Sequence, residues 1–205
     1  ICPKGLRMPK RVATIDLGSN SCVLLVLELR AGRVERVTSE LALTRLGQGL
    51  DASGDLSAAA MDRSLTALAN FADKARELGA TEIFAVGTAA LREARNQQVM
   101  IEAARSLGVE LRPISGSEEA NLSFAAAQYG ASGDCIVIDV GGASTEFAWG
   151  SASGVLGRVS LKVGSVRLHE RLALEAPLTP TMRDQLMAAC AQAVESIPQS
   201  LLGPL

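Results

Sequence analysis

The sequence predicts an α/β protein made of two similar halves that meet at a cleft. Short apolar runs typical of buried strands alternate with stretches of helical periodicity along the 205 residues. Each half contains the same pattern, at residues 12–21 and again at 136–144: an apolar strand, Asp, an apolar residue, Gly, two small residues and Ser. Because an internal repeat of this length indicates a duplicated unit, the two glycine turns are expected to face each other across the cleft.

Strands are predicted where short apolar runs are bounded by turn residues. In chain order they occupy residues 12–15, 22–29, 34 onward, 83–86, 110–114, 136–139, 147 onward and 154–161. Short turns join some of these strands and helical stretches separate others. The sheet is therefore expected to contain both hairpins and crossovers.

Helices are predicted where apolar residues recur every three or four positions. The first long helix begins after its N-cap Ser57 and is stopped by Gly79, and the last begins at Thr179 and ends near residue 196. Further helical stretches are predicted at 89–94, 97–107, 116–128 and, behind a turn, 162–172. Residues 41–55 carry three glycines and are predicted to form a loop.

Composition excludes several classes of function. The net charge is −2 and no cluster of Lys, Arg and aromatic residues occurs, which gives no support for a nucleic-acid partner. The longest apolar run, Cys22–Leu27, is far too short to span a bilayer, so no membrane partner is expected. The four cysteines form no CxxC pair and are expected to be reduced thiols, which favours a cytoplasmic protein.

The two repeated turns carry the most informative chemistry. Glycine lets backbone N–H groups approach a ligand and Ser and Thr add hydroxyl donors, so such turns suit phosphate oxygens. The second turn is flanked by Asp139 and Glu146, and carboxylates are the groups that hold a divalent cation. A single glycine-rich turn beside an acid is often only a turn, but its repetition favours a phosphate-binding cleft.

Five segments in this order make the chain similar to the exopolyphosphatase/guanosine pentaphosphate phosphatase (Ppx/GppA) family, within the actin, sugar-kinase and Hsp70 superfold. They are Asp16–Ser21, Val86–Ala94, Ile114–Ala120, Asp139–Glu146 and Ser160–Leu168. The resemblance implies duplicated actin-like (ribonuclease H-like) domains with a cleft between them. It divides the chain into an N-terminal extension at 1–10, domain I at 11–130 and a partial domain II at 131–205.

The resemblance also implies an activity, a cofactor and a set of site residues. Family members hydrolyse the terminal phosphoanhydride of polyphosphate or the 5′-phosphate of guanosine pentaphosphate, with Mg²⁺ or another divalent cation. Glu119 matches the family's catalytic base, Arg92 matches an arginine suited to a phosphate, and Glu118 lies about 100° away round the helix. Asp139 and Glu146 match the acids proposed to hold the metal. The residues implied to bind phosphate are Gly18, Ser19, Asn20, Ser21, Gly141, Gly142, Ala143, Ser144 and Thr145.

Plainer interpretations stay open for the two catalytic candidates. Glu119 is also the kind of acid that the dipole of a first helical turn favours, and Arg92 could form a surface salt bridge with Glu93 or Glu119. His169, the chain's single histidine, is expected to be a surface residue. A non-catalytic module that binds guanosine polyphosphate or polyphosphate, and a kinase of the same superfold, are the alternative functions, and a homodimer remains open.

Two departures from the family pattern bear on activity. Ala143 stands where the family usually has a third glycine, which would weaken the turn if that position needs a positive φ or close phosphate approach. Relatives also continue past the last helix, whereas this sequence ends at Leu205, so domain II is expected to be incomplete. A fragment, a partner that supplies the remainder, and a degenerate relative are all compatible with that expectation.

Overall fold

The structure is a computed structural model that describes residues 10–30, 33–129, 133–195 and 197. Nearly all of the predicted N-terminal extension lies outside this range. So do residues 31–32, between the strands predicted at 22–29 and from 34 onward, and most of the segment after the last helix. Within the described range, no helix is both long enough and apolar enough to cross a bilayer.

The first half is built on a five-stranded mixed sheet, sheet A, in the order β3-β2-β1-β4-β5. Its strands are β1 (Lys10–Leu17), β2 (Ser21–Arg30), β3 (Arg33–Leu43), β4 (Glu82–Gly87) and β5 (Leu111–Pro113). The first three pair antiparallel through hairpins, while β4 and β5 join in parallel after helical crossovers. Hairpins and crossovers are therefore both present, as predicted.

Four helices accompany sheet A. They are α1 (Leu50–Ser53), α2 (Ala58–Glu77), α3 (Ala89–Glu93) and α4 (Gln97–Ser106). The predicted cap of α2 is present, since the Ser57 side chain accepts a hydrogen bond from the Ala60 N–H. The glycine-bearing stretch 41–55 is not all loop, because β3 runs to Leu43 and α1 lies within it.

The core lies on one face of sheet A and determines what the other face presents. Ile15 and Leu17 are fully buried against the helices, beside Leu68 of α2 and Met100 of α4. Because successive side chains of a strand point to opposite faces, Asp16 must face the other side of the sheet. The alternation in β1 thus aims this carboxylate at the cleft described below.

The second half contains a three-stranded antiparallel sheet, sheet B, in the order β6-β7-β8. Its strands are β6 (Cys135–Val140), β7 (Thr145–Ser151) and β8 (Gly154–Leu161), and the remaining helices are α5 (Gly116–Gln128), α6 (Ser165–Arg171) and α7 (Pro180–Glu195). Helix α5 follows β5 but packs on sheet B, where Phe124 and Ala120 bury Ala148. This crossing places the first turn of α5 between the two sheets.

Candidate active site

The two repeated turns adopt the same local geometry and touch each other. In the first turn the Gly18 N–H donates to the Ser21 carbonyl at 2.9 Å, and in the second the Gly141 N–H donates to the Ser144 carbonyl at 2.9 Å. A Cβ atom on Gly142 would lie 3.1 Å from Cβ of Ser19. The turns therefore lie face to face, in the arrangement that the sequence repeat predicts.

A cavity of about 290 Å³ lies between the turns. It is lined by Asp16, Gly18, Ser19, Asn20, Ser21, Val23, Thr88, Glu119, Asp139, Val140, Gly141, Gly142, Ala143, Ser144 and Ser165. Eight of the nine residues predicted to bind phosphate belong to this lining. The ninth, Thr145, is buried and donates its hydroxyl to the Val163 carbonyl at 2.7 Å.

The glycines of the second turn are required by close approach. Gly141 and Gly142 both lack a positive φ, yet a Cβ on Gly141 would lie 3.0 Å from the Ser144 carbonyl oxygen. Ala143 also lacks a positive φ, and its buried methyl group is accommodated. The predicted weakening of the turn through a left-handed conformation at this position therefore does not apply.

The two predicted catalytic residues are in direct contact. Arg92 donates from Nη1 to Oε2 of Glu119 at 2.6 Å, and from Nη2 to the Ser144 hydroxyl at 3.3 Å. The salt bridge anticipated as a plain alternative thus exists, but it is mostly buried, with side-chain exposures of 18% and 17%. Arg92 therefore links helix α5 to the second glycine turn.

The environment of Glu119 brings its pKa close to neutrality. Burial is the main cause and raises the pKa, the hydrogen bond from Arg92 lowers it, and the carboxylates of Glu146 and Asp16 raise it, giving a value of about 7. Glu118 binds Arg112 through two hydrogen bonds, at 2.6 and 3.0 Å. Of the two adjacent acids, Glu119 is the one that lines the cavity between the turns.

The two predicted metal ligands are neighbours in sheet B but have different surroundings. Asp139 and Glu146 are paired across β6 and β7, and Asp139 lines the cavity while accepting a hydrogen bond from the Ser123 hydroxyl at 2.6 Å. Glu146 is only 2% exposed and accepts from the Ser160 hydroxyl at 2.7 Å, with Nη2 of Arg92 at 3.6 Å. The Glu146 carboxylate therefore contacts Ser160 and Arg92 and does not line the cavity.

Asp16, unlike Glu146, lines the cavity between the turns. It lines the cavity beside Asp139, and partial burial together with the Asp139 carboxylate raises its pKa. Two repelling carboxylates at the end of a cleft suit a hard divalent cation. The described residues include no group of three His, Cys, Asp or Glu side chains able to hold a metal.

Two charged residues at this site are not among the site residues predicted from the sequence. Asp16 could have been found from the repeat, which aligns it with Asp139. Arg167 could have been found from the fifth family segment, which contains it. It is buried and donates to the Ala143 carbonyl at 2.8 Å, to Asp51 at 2.6 Å and to Glu93 at 2.8 Å. Arg167 therefore fastens the second glycine turn to two acids of the first half.

Comparisons with known proteins give matches over most of the chain. The model of the Ppx/GppA phosphatase family matches residues 25–203. A guanosine-5′-triphosphate,3′-diphosphate pyrophosphatase of Vibrio atlanticus is 39% identical over 84% of this chain and 35% of its own length. The chain thus spans little more than a third of this curated relative.

Solved structures of other proteins are similar in fold to this chain. An exopolyphosphatase-like protein matches with a TM-score of 0.81 at 32% identity, over 92% of this chain and 61% of the other. An exopolyphosphatase from Cytophaga hutchinsonii matches with a TM-score of 0.80 at 27% identity, over 92% and 64%. These likenesses confirm the predicted fold class.

Proposed function

Because the chain belongs to the Ppx/GppA phosphatase family, we propose that it is an exophosphatase acting on a phosphoanhydride. Its substrate would be the terminal phosphate of inorganic polyphosphate or the 5′-phosphate of guanosine pentaphosphate. The observation that carries the proposal is Glu119, a mostly buried acid with a pKa of about 7 at the wall of a cavity formed by two glycine turns.

The turns would hold the phosphoryl group. Backbone N–H groups and the hydroxyls of Ser19, Ser21 and Ser144 line the cavity, and such donors stabilise negative charge that grows in the transition state. Thr88 and Ser165 add two hydroxyls that sequence reasoning did not assign. Because the turns contact each other, these donors are already assembled before a substrate binds.

Glu119 would act as the general base toward the attacking water. A base is most effective when its pKa lies near the working pH, since it is then ionised without losing its affinity for a proton. Burial supplies this value, and the hydrogen bond from Arg92 keeps it from rising further. A proton taken from water would reside on the carboxylate of Glu119 while the water oxygen attacks the terminal phosphorus and the leaving phosphate departs.

Arg92 would orient the base and neutralise charge on the phosphoryl group. Its guanidinium reaches Glu119 with one nitrogen and Ser144 with the other, so it spans the base and the turn that holds the phosphate. A planar guanidinium suits this position because it can donate to both groups at once.

A divalent cation, proposed to be Mg²⁺, would be held by Asp16 and Asp139. The cation would neutralise phosphate oxygens during transfer. Glu146 is proposed instead to position Arg92 and Ser160, because its carboxylate does not line the cavity. The same proposal places the protein in the cytoplasm, since the described cysteines are all free thiols.

The division of the chain into domains is part of this proposal. Sheet A and sheet B form separate sheets on either side of the cleft, which supports a boundary near residues 130 and 131. Helix α5 belongs to domain I by this boundary but packs on sheet B. It would therefore carry Glu119 on the element that connects the two domains.

Release of phosphate tests the function. We expect the protein to release phosphate from long-chain polyphosphate or from guanosine pentaphosphate with Mg²⁺, and Glu119→Gln to reduce the rate by about 10²- to 10⁴-fold. The matched control is Glu118→Gln, which removes an acid from the same helical turn outside the cavity between the turns and should retain the rate within about twofold. Tight binding of either substrate without turnover by the unmodified chain would instead identify a binding module.

A further inference from the structure

A second cavity adjoins the first on the far side of Asn20 and Ser165. Its volume is about 580 Å³, within the range typical of small-molecule sites. It is lined by Asn20, Arg45, Gln48, Ser165, Val166, His169 and Glu170. Because Asn20 and Ser165 line both cavities, a ligand held between the glycine turns can extend directly into this one, which we call the Arg45 cavity.

The Arg45 cavity is lined by one arginine and one acid, and the arginine side chain has no partner within the described part of the chain. The guanidinium of Arg45 is exposed and has no ion pair or side-chain hydrogen bond there. Arg63 binds Gln48 of the same lining and, within the described residues, donates only to neutral oxygens: the Thr44 carbonyl at 2.9 Å and Oε1 of Gln48 at 3.1 Å. Arg92, by contrast, is already paired with carboxylates.

The acid that lines this cavity, Glu170, forms no ion pair within the described residues and is held by a backbone N–H. Both carboxylate oxygens of Glu170 accept from the Gly49 N–H, at 3.1 and 3.2 Å. Gln48 uses its amide oxygen to accept from Arg63, which leaves its amide NH₂ as a donor. Arg45, Gln48 and the exposed His169 therefore present hydrogen-bond donors to the cavity.

The backbone holds Arg45 in a fixed relation to the first glycine turn. Its φ is 51°, a left-handed conformation that few non-glycine residues adopt. The Thr44 and Arg45 N–H groups both donate to the Asn20 carbonyl, at 3.1 and 2.9 Å, and the Gly47 N–H donates to the Ser19 carbonyl at 2.8 Å. Since the loop is bonded to the turn itself, the backbone of Arg45 is placed before any ligand arrives.

We propose that the Arg45 cavity is a second anion subsite, which binds phosphate groups of the substrate other than the one that is cleaved. The inference rests on the proposed function for the position of the cleaved phosphate. The ligand chemistry is a phosphate polyanion, and a guanidinium donates to phosphate oxygens in pairs. These phosphates would be either the next units of an inorganic chain or the 3′-diphosphate of a guanosine nucleotide.

Binding measured without turnover tests the subsite. Calorimetry in the Glu119→Gln background compares inorganic tripolyphosphate, guanosine pentaphosphate, GTP and orthophosphate. We expect Arg45→Gln to weaken binding of tripolyphosphate, of guanosine pentaphosphate, or of both by about 10- to 100-fold, as loss of a charge-assisted hydrogen bond predicts. Orthophosphate, which fills one subsite, should bind within about threefold of the unsubstituted level, and Arg45→Lys should restore part of the loss.

The pattern of losses identifies the source of the phosphates. A loss with tripolyphosphate assigns the subsite to an inorganic chain, and a loss with guanosine pentaphosphate but not with GTP assigns it to the 3′-diphosphate. The matched control Arg36→Gln removes an exposed arginine from β3, remote from the cleft, and should change none of these affinities. Thermal unfolding of Arg45→Gln checks that the variant is folded.

The two proposals fail in different ways. If folded Arg45→Gln binds both tripolyphosphate and guanosine pentaphosphate as tightly as the parent, the subsite is overturned even where phosphate release is normal. If the chain with Glu119 intact releases no phosphate while Arg45→Gln still loses affinity, the hydrolytic function is overturned and the subsite stands.

Discussion

Nη1 of Arg92 lies 2.6 Å from Oε2 of Glu119, although the two residues are 27 positions apart and belong to different helices. Helix α3 supplies the arginine from the sheet A side, and the first turn of α5 supplies the acid from the element that crosses to sheet B. The pair lies under the second glycine turn, because Arg92 also reaches the Ser144 hydroxyl. The protonation of Glu119 and the position of the turn are therefore linked through one guanidinium.

The first prediction concerns the pH dependence of activity. Because the pKa of Glu119 is about 7, the rate should rise with pH through about 7 in the unmodified protein. Arg92 lowers this pKa by hydrogen bonding and charge. Arg92→Gln should reduce kcat/KM by about 10²- to 10³-fold, because a donor to developing charge is lost, and should move the midpoint of the remaining activity to higher pH. The measurement is kcat/KM for phosphate release between pH 5 and 9.

Arg112→Gln is the control for this prediction. Arg112 binds Glu118, the neighbouring acid, through a comparable pair of hydrogen bonds outside the cavity between the turns. The Arg112→Gln substitution should leave the midpoint of the pH profile near 7. An unshifted midpoint in active Arg92→Gln would contradict the role given to the pair.

The second prediction concerns stability. The folded pKa of Glu119, about 7, lies above the ordinary value of 4.5, so ionisation of this group opposes folding. Its contribution to the free energy of unfolding is fully present below pH 4.5 and is lost as the pH rises through about 7. Glu119→Gln has no such loss, and its stability relative to the parent should improve by up to about 3 kcal/mol between pH 4 and pH 8.

Thermal or chemical unfolding at the two pH values measures this difference. Glu118→Gln is the informative control, because the hydrogen bonds from Arg112 lower the pKa of Glu118 and give its linkage the opposite sign. Its stability relative to the parent should not improve as the pH rises. An equal change of stability with pH in the two variants would show that burial does not govern the pKa of Glu119.

Much of this fold follows from periodicity in the sequence. A two-residue period places Ile15 and Leu17 in the core and Asp16 on the opposite face, and about 100° of rotation round the helix separates Glu118 from Glu119. The repeat also predicts that the two glycine turns meet. These features depend on local geometry, which neighbouring residues determine.

The parts that could not be predicted depend on contacts between distant segments. Glu146 and Asp139 face each other across sheet B, but Glu146 is covered by Ser160 of the next strand while Asp139 stays open to the cavity. The partners of Arg167 lie 116 and 74 residues away. No local pattern indicates which strand will cover an acid or which acids will meet an arginine.

The third prediction concerns Arg167 as a positioning residue. It is 7% exposed and joins the Ala143 carbonyl to Asp51 and Glu93, so Arg167→Met would leave two acids without their buried partner. Removing one member of such a pair typically costs about 3–5 kcal/mol of stability. Arg171→Gln is the matched control, since Arg171 also binds Asp51 but is 51% exposed and should contribute less than about 1 kcal/mol.

Chemical unfolding measures both losses, and the apparent KM for polyphosphate reports on the turn. We expect Arg167→Met to raise KM more than Arg171→Gln does, because only Arg167 binds the Ala143 carbonyl. Similar losses of stability in the two variants would mean that Arg167 does not fasten the turn.

The last prediction concerns Ala143, where the family usually has glycine. Ala143 needs no positive φ, and its methyl group is buried, so Ala143→Gly removes a packed methyl and adds freedom to the unfolded chain. We expect it to lower stability by about 1 kcal/mol and to leave phosphate release unimproved.

Gly164→Ala is the opposite case, because a Cβ there would lie 2.6 Å from the carbonyl carbon and oxygen of Gly142 and force the turn to move. It should reduce kcat/KM by about tenfold or more, since a displaced donor no longer meets the developing charge. An increase in kcat/KM on Ala143→Gly, measured beside Gly164→Ala with the same substrate, would show that the extra methyl group obstructs phosphate after all.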